Sequence, residues 1–197
     1  MTVKLGLTGS IGMGKSTTAG FFRSFGVPVW DADAEVRIMY GQGGQAVPLL
    51  RKLAPAAIIK AEVDRSQLKR AITQDKDLLT RIEAALKPLL AQSRQDFLTV
   101  HRATPVVVFD IPLLYETDSE SWLDYVLVVT APADVQKQRV MGRNTMDEAL
   151  FNTILARQMP DAEKRALADY VFDTSKGMAH TKTEVKALIE ALEQENA

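Results

Sequence analysis

Three glycines, a lysine and a serine stand within eight residues near the start of the chain. The run Gly9-Ser10-Ile11-Gly12-Met13-Gly14-Lys15-Ser16-Thr17 fits the spacing G-x-x-x-x-G-K-[ST]. Glycines let a backbone come close to an anion and turn successive N–H groups toward it. A helix starting at Lys15 adds the partial positive charge of its N-terminus. Lys15 suits the β- and γ-phosphates, and the Ser16 hydroxyl suits Mg²⁺. Residues 9–17 are therefore read as the phosphate site of a nucleoside triphosphate, ATP.

Carboxylates and arginines supply the rest of a transfer site. Asp110 ends the apolar run Val106-Val107-Val108-Phe109. Two roles fit it, a Mg²⁺ ligand at the ligand edge of a parallel sheet or a strand-end cap. No Glu follows it, which argues against a motor ATPase or helicase, and no N-K-x-D run argues for a GTPase. A small kinase is left. Asp31 and Asp33 follow a second short apolar run. One of them can orient or deprotonate an acceptor hydroxyl, and either can serve the start of the next helix, Asp31 as its cap. Arg139 and Arg143, four residues apart, share a helix face. They fit either phosphate contacts or a solvated basic face. Gln158 and Lys164 are weaker candidates of the same kind.

The elements that must hold these groups alternate. Residues 3–7, 27–30, 104–112, 124–132 and 168–173 read as strands, apolar throughout rather than alternating. Helices are expected at 15–25, with Phe21, Phe22 and Phe25 on its apolar side, and at 133–142, 146–158, 161–168 and 181–195. Thr145 and Glu148 have capping-box spacing. Apolar strands separated by helices point to an α/β fold with a parallel sheet covered on both faces. Residues 45–104 read as helical without a strand. Within them 75–100 forms one long helix or two meeting at Pro88. Trp30 and Trp122 read as packing residues, and His101 and His180 as surface or structural ones.

Length and composition bound the reading. The chain has 197 residues, 46% hydrophobic and 25% charged, a net charge of −1 and no cysteine. Thiolate metal sites, disulfides and cysteine catalysis are excluded. The charge balance gives no footprint for nucleic acid or an acidic membrane. No stretch approaches the roughly 20 apolar residues of a membrane span, and the opening residues do not read as a secretory leader. A soluble, cytoplasmic protein is expected, with no nucleic-acid or membrane partner, as a monomer or small homo-oligomer.

The motifs "GLTGSIGMGKST" (6–17), "VPVWDAD" (27–33), "VDRSQL" (63–68), "DIPLLYE" (110–116) and "ADYVFD" (168–173) occur in an order that resembles the dephospho-coenzyme A kinase family. The resemblance covers nearly the whole chain. It implies a P-loop NTPase core over 1–33, 104–133 and 166–197, a helical acceptor-binding insertion over 34–103 and a small lid over 134–165. It implies transfer of the γ-phosphoryl of ATP to the ribose 3′-hydroxyl of dephospho-CoA. In that reading Asp33 addresses the hydroxyl, and Lys15 and Arg139 stabilise the transferring phosphoryl. Residues 9–17 with Arg139 and Arg143 hold ATP, and Ser16 and Asp110 hold Mg²⁺. Thr8, Arg65, Pro112, Leu113, Leu114 and Glu116 serve the acceptor alongside Asp33. Two positions depart from the family pattern. Lys87-Pro88 stands where His-Pro is usual, and Asp173-Thr174-Ser175 stands where an Asn near the last strand is favoured. A nucleoside, nucleotide or sugar-acid kinase on the same core is the competing reading, and a nucleotide-hydrolysing switch is a more distant one.

Overall fold

The structure, a computed structural model, describes residues 2–143 and 146–195. The described residues divide into two compact units, one of Asp31–Val100 and one of the segments before and after it. In the larger unit five strands form a parallel sheet in the order β2-β5-β1-β6-β7. They are β1 (Val3–Thr8), β2 (Val29–Asp31), β5 (Val106–Asp110), β6 (Tyr125–Thr130) and β7 (Tyr170–Asp173). All five residues of β5 are buried. That explains the unbroken Val-Val-Val-Phe run, since a central parallel strand meets side chains on both faces.

Helix α1 (Lys15–Ser24) packs Phe22 against the sheet from one side, together with α9 (Met178–Glu195), whose Val185, Leu188, Ile189 and Leu192 join the same core. Phe25 differs from its expected place. It is the residue after α1 and 37% exposed, lying instead under Lys182 Nζ, 5.6 Å from the ring centroid. Trp30 and Trp122 both pack on Phe109, with centroids 5.9 Å and 4.8 Å away, as packing residues should. His180 pairs with Glu184 one turn on, at 3.4 Å.

Between β6 and β7 run three short helices, α6 (Ala133–Met141), α7 (Glu148–Leu155) and α8 (Asp161–Leu167). Helix α7 is capped by Asp147, whose side chain accepts from Leu150 N at 2.8 Å. The capping box expected from Thr145 involves a residue outside those described.

The smaller unit has its own core, built on Met39, Leu50, Val63, Leu68, Leu78, Ile82 and Leu86. Its helices are α2 (Ala32–Tyr40), α3 (Val47–Leu53), α4 (Arg65–Gln74) and α5 (Leu78–Val100). One feature differs from the sequence reading, and one open alternative is decided. A two-stranded antiparallel hairpin, β3 (Ile58–Ile59) with β4 (Glu62–Val63), interrupts the helices. Its turn residues Lys60 and Ala61 both have positive φ, a conformation their types do not advertise. And α5 is a single helix through Pro88. The buried stripe Leu78, Ile82, Leu86, with Leu89 and Leu90 partly buried beyond the proline, holds it together. That packing outweighs the hydrogen bond Pro88 cannot donate. Among the described residues no helix is long and apolar enough to cross a membrane.

Candidate active site

The glycine-rich loop joins the carboxyl end of β1 to α1. Gly14 is the residue before α1 and has φ 90°, in the left-handed region that favours glycine. At Gly9 the constraint is space. A methyl there would lie 2.6 Å from both Val129 Cγ2 and Val129 O, so the chain leaving β1 can pass Val129 of β6 only with a bare backbone. Ser10 and Met13 are buried, whereas Ser16 and Thr17 are exposed at the start of α1.

Lys15 Nζ reaches Asp110 Oδ1 in a close ion pair, with side-chain exposures of 16% and 4%. The two residues come from different motifs, 95 residues apart. They meet because β1 and β5 are neighbours, with Leu7 opposite Asp110 in register. A buried carboxylate and the loop lysine therefore hold each other beside the glycine loop.

The helices after β6 approach the loop through polar side chains. Gln136 in α6, though polar, is 6% exposed, and its Nε2 donates to Ile11 O at 2.8 Å. Ile11 N donates to Gln158 Oε1 at 3.1 Å. Residues 136 and 158, on either side of α7 in the chain, thus hold the same loop residue through its carbonyl and its N–H. Arg139, one turn beyond Gln136, donates from Nη1 to Thr174 Oγ1 at 2.8 Å and from Nη2 to Thr174 O at 2.9 Å. A longer contact of 3.5 Å runs from Nη1 to Gly12 O. Arg143 differs from expectation. Helix α6 stops at Met141, so Arg143 lies past its end, exposed, and the two arginines do not share a helix face.

The segment after β5 carries the residues expected to serve the acceptor. Thr8 is fully buried, and its hydroxyl donates to Pro112 O at 3.2 Å. Leu113 is 39% exposed. Leu114 is fully buried, with Cδ1 2.7 Å from where a methyl on Gly6 would sit. It is a core residue with no surface to offer a ligand. Glu116 is occupied by protein. Lys164 Nζ lies 2.8 Å from its Oε1, which also accepts from Met159 N at 2.7 Å. Lys164, a weak candidate for phosphate contact, is fully buried on this carboxylate.

The two carboxylates at the end of β2 and the start of α2 separate cleanly. Asp31 Oδ1 accepts from Ala34 N at 2.9 Å and caps α2. Asp33, in the first turn, is exposed. Arg65 opens α4, which Asp64 caps through Gln67 N at 2.8 Å. The Arg65 charge lies close enough to Tyr40 to oppose the burial that raises that phenol above its usual range.

Sequence reasoning missed Gln136 and left Gln158 weak. The signal was available. Gln136 and Arg139 are three apart and so lie on one side of a helix, and both reach carbonyls of the loop.

A profile of the dephospho-CoA kinase family matches residues 3–180. The chain is 52% identical to a dephospho-CoA kinase of Cereibacter sphaeroides over 94% of its own length and 93% of that protein. Among solved structures it is similar to a crystal structure from Thermus thermophilus, with 32% identity, a TM-score of 0.84 and coverage of 97% and 98% of the two chains. A dephospho-CoA kinase from Campylobacter jejuni, 21% identical, shares the fold with a TM-score of 0.73 over the full length of both chains.

Proposed function

The chain belongs to the dephospho-CoA kinase family, and from that premise we propose how its residues transfer the γ-phosphoryl of ATP to the ribose 3′-hydroxyl of dephospho-CoA, the last step of coenzyme A synthesis. The observation that carries the reading is the meeting of Lys15 with Asp110 beside the glycine loop. Residues 9–17 cradle the phosphates of ATP, and Lys15 moves from Asp110 onto them. Arg139 adds charge at the transferring group, and Arg143, exposed past the end of α6, is the second arginine of a lid over 134–165. Phosphoryl transfer through a loose transition state asks mostly for such positioning and charge.

Among the described residues no cluster of three or more His, Cys, Asp or Glu could hold a metal by itself. What the chain offers is the Ser16 hydroxyl and the Asp110 carboxylate. These hard oxygen donors fit Mg²⁺, an ion that completes its shell with water and phosphate oxygens. When bound, the ion supplies positive charge against the phosphate oxygens.

Asp33 is our choice for the acceptor hydroxyl. The helix cap is already supplied by Asp31, so the Asp33 carboxylate is not needed to hold α2. Residues 34–103, with Arg65, and the loop Pro112–Leu113 after β5 are assigned to the acceptor. Thr8 and Glu116 support that loop and its neighbours from within.

ADP release with Mg-ATP, measured with dephospho-CoA, AMP, dTMP, adenosine or gluconate, tests the reading. Stimulation by dephospho-CoA with CoA as product is expected, and stimulation only by another acceptor overturns it. Asp33→Asn is expected to leave ATP binding intact and cut turnover at least about tenfold, the lower side of what a base contributes. Turnover near wild type removes Asp33 from the role.

A further inference from the structure

Thr174, in the Asp173-Thr174-Ser175 run at the end of β7, is one of the most connected side chains of the site. It is 7% exposed. Its hydroxyl shares one hydrogen between Met13 O at 3.0 Å and Thr130 O at 3.2 Å, and accepts from Arg139 Nη1 at 2.8 Å. Its carbonyl accepts from Arg139 Nη2 at 2.9 Å. One residue after β7 thus joins the glycine loop, the end of β6 and the arginine of α6.

The geometry points to Thr174 as the positioning residue that sets the Arg139 guanidinium beside the glycine loop for phosphoryl transfer; this rests on the proposed role of Arg139 at the transferring phosphoryl.

The guanidinium is planar and carries five N–H donors. Two neighbouring acceptors on one residue, Oγ1 and O, therefore fix its plane as well as its distance. Three donors are used, two on Thr174 and one on Gly12 O. The Nε–H and the second Nη2 hydrogen make no hydrogen bond within the described residues, and they remain for phosphate oxygens.

Thr174 is itself held firmly. Asp173 Oδ1 accepts from Ser175 N at 2.9 Å and from Ser175 Oγ at 2.6 Å, closing a turn around residue 174. Those bonds hold the Asp173 carboxyl below its usual range. On the other side the Thr174 Cγ2 and Oγ1 lie 3.1 Å from where a methyl on Gly14 would sit. The side chain therefore fills the space that the glycine leaves open. Fixing an arginine before the ligand arrives lowers the reorganisation left for the transition state.

The test uses the full chain with ATP and dephospho-CoA. Thr174→Val keeps the volume and removes the hydroxyl; Thr174→Ala removes both and guards against a valine that fails to fold; Thr174→Ser keeps the hydroxyl. Valine and alanine are expected to lower kcat about tenfold, the scale of one misplaced charge-assisted hydrogen bond, with a smaller change in the KM for ATP. Serine is expected to restore kcat to within about twofold of wild type on the same scale. In an Arg139→Ala background, Thr174→Val is expected to add almost nothing, because the two act as one unit. Undiminished kcat in both hydroxyl-free variants overturns the inference, as does an equal loss in the Arg139→Ala background. If Arg139→Ala alone leaves kcat unchanged, the proposed role of Arg139 fails first and takes this inference with it.

Discussion

Lys164→Met removes one half of the buried Lys164–Glu116 pair and should be the most destabilising single change near the site. Lys164 is fully buried and its partner 16% exposed. The lysine sits in α8, while Glu116 sits in the turn after β5 and also holds Met159 N. Breaking a buried pair by deleting one partner costs about 3–5 kcal/mol, since the survivor stays desolvated without its counter-charge. The partial exposure of Glu116 argues for the lower end, about 3 kcal/mol. A chain of this size loses roughly 2–4 °C in Tm per kcal/mol, so the expected drop is roughly 6–12 °C. Methionine is chosen because it fills much of the lysine's volume and isolates the charge effect.

Tryptophan fluorescence is the right readout. Trp30 and Trp122, the only tryptophans, both pack on Phe109 in the unit that holds the pair. The melt therefore follows that unit. The drop should persist in high salt, which screens surface pairs but not buried ones. Adding Glu116→Gln should recover most of the loss, because glutamine still accepts from Met159 N and carries no charge. A Tm for Lys164→Met within about 2 °C of wild type, less than 1 kcal/mol on the same scale, refutes the reasoning. So does a double variant no more stable than the single one.

Two further outcomes follow from the same geometry. Gly9→Ala places a methyl 2.6 Å from the Val129 backbone oxygen. It should destabilise by about 1–3 kcal/mol as an overpacked site and weaken ATP binding, and a melt and nucleotide titration matching wild type would contradict this. Tyr115 is 6% exposed, and burial, with the charges of Asp169 and Glu120, pushes its phenol up to about 12. The folded state then keeps a proton that the unfolded state releases near pH 10. Its contribution to stability is whole below that point and falls as pH rises from about 10 to 12. Urea midpoints in that range should decline less in Tyr115→Phe than in wild type; parallel declines would remove Tyr115 from the effect.

The core and the phosphate loop were legible because their causes are local. A strand covered on both faces must be apolar along its length, and a loop around phosphate must be glycine-rich. The helix cap at Asp31 was readable from its place before the helix it starts. What the sequence hid depends on partners far along the chain. Glu116 looks like a pocket residue until Lys164 is seen against it. Thr174 looks like a mere departure until Arg139, Met13 and Thr130 converge on it. Leu113 and Leu114 look alike, and only the placement of Gly6 assigns one to the core. Pro88 leaves one helix or two open in the sequence, and the leucines packed on both sides of it keep α5 whole. The helix face expected to carry both Arg139 and Arg143 fails for a simpler reason, since α6 ends two residues before Arg143.

The way the segment between β6 and β7 is attached fits its proposed work as a lid. Helix α6 buries Gln136 and Val140, α7 buries Phe151, and α8 buries Lys164. Helix α9, by contrast, buries five residues, four of them apolar. Segments with little buried apolar surface open at lower free energy than those built into the core. What ties α6 and its successors to the rest is polar and directional. Gln136 and Gln158 hold Ile11, Arg139 holds Thr174, and Lys164 holds Glu116. Hydrogen bonds to the glycine loop can be exchanged for bonds to phosphate at small net cost, because each is worth only about 0.5–1.5 kcal/mol against its replacement. The buried ion pair at α8 cannot be exchanged so cheaply. Motion is therefore expected to concentrate in α7, between α6, which Thr174 holds through Arg139, and α8, which Glu116 holds through Lys164.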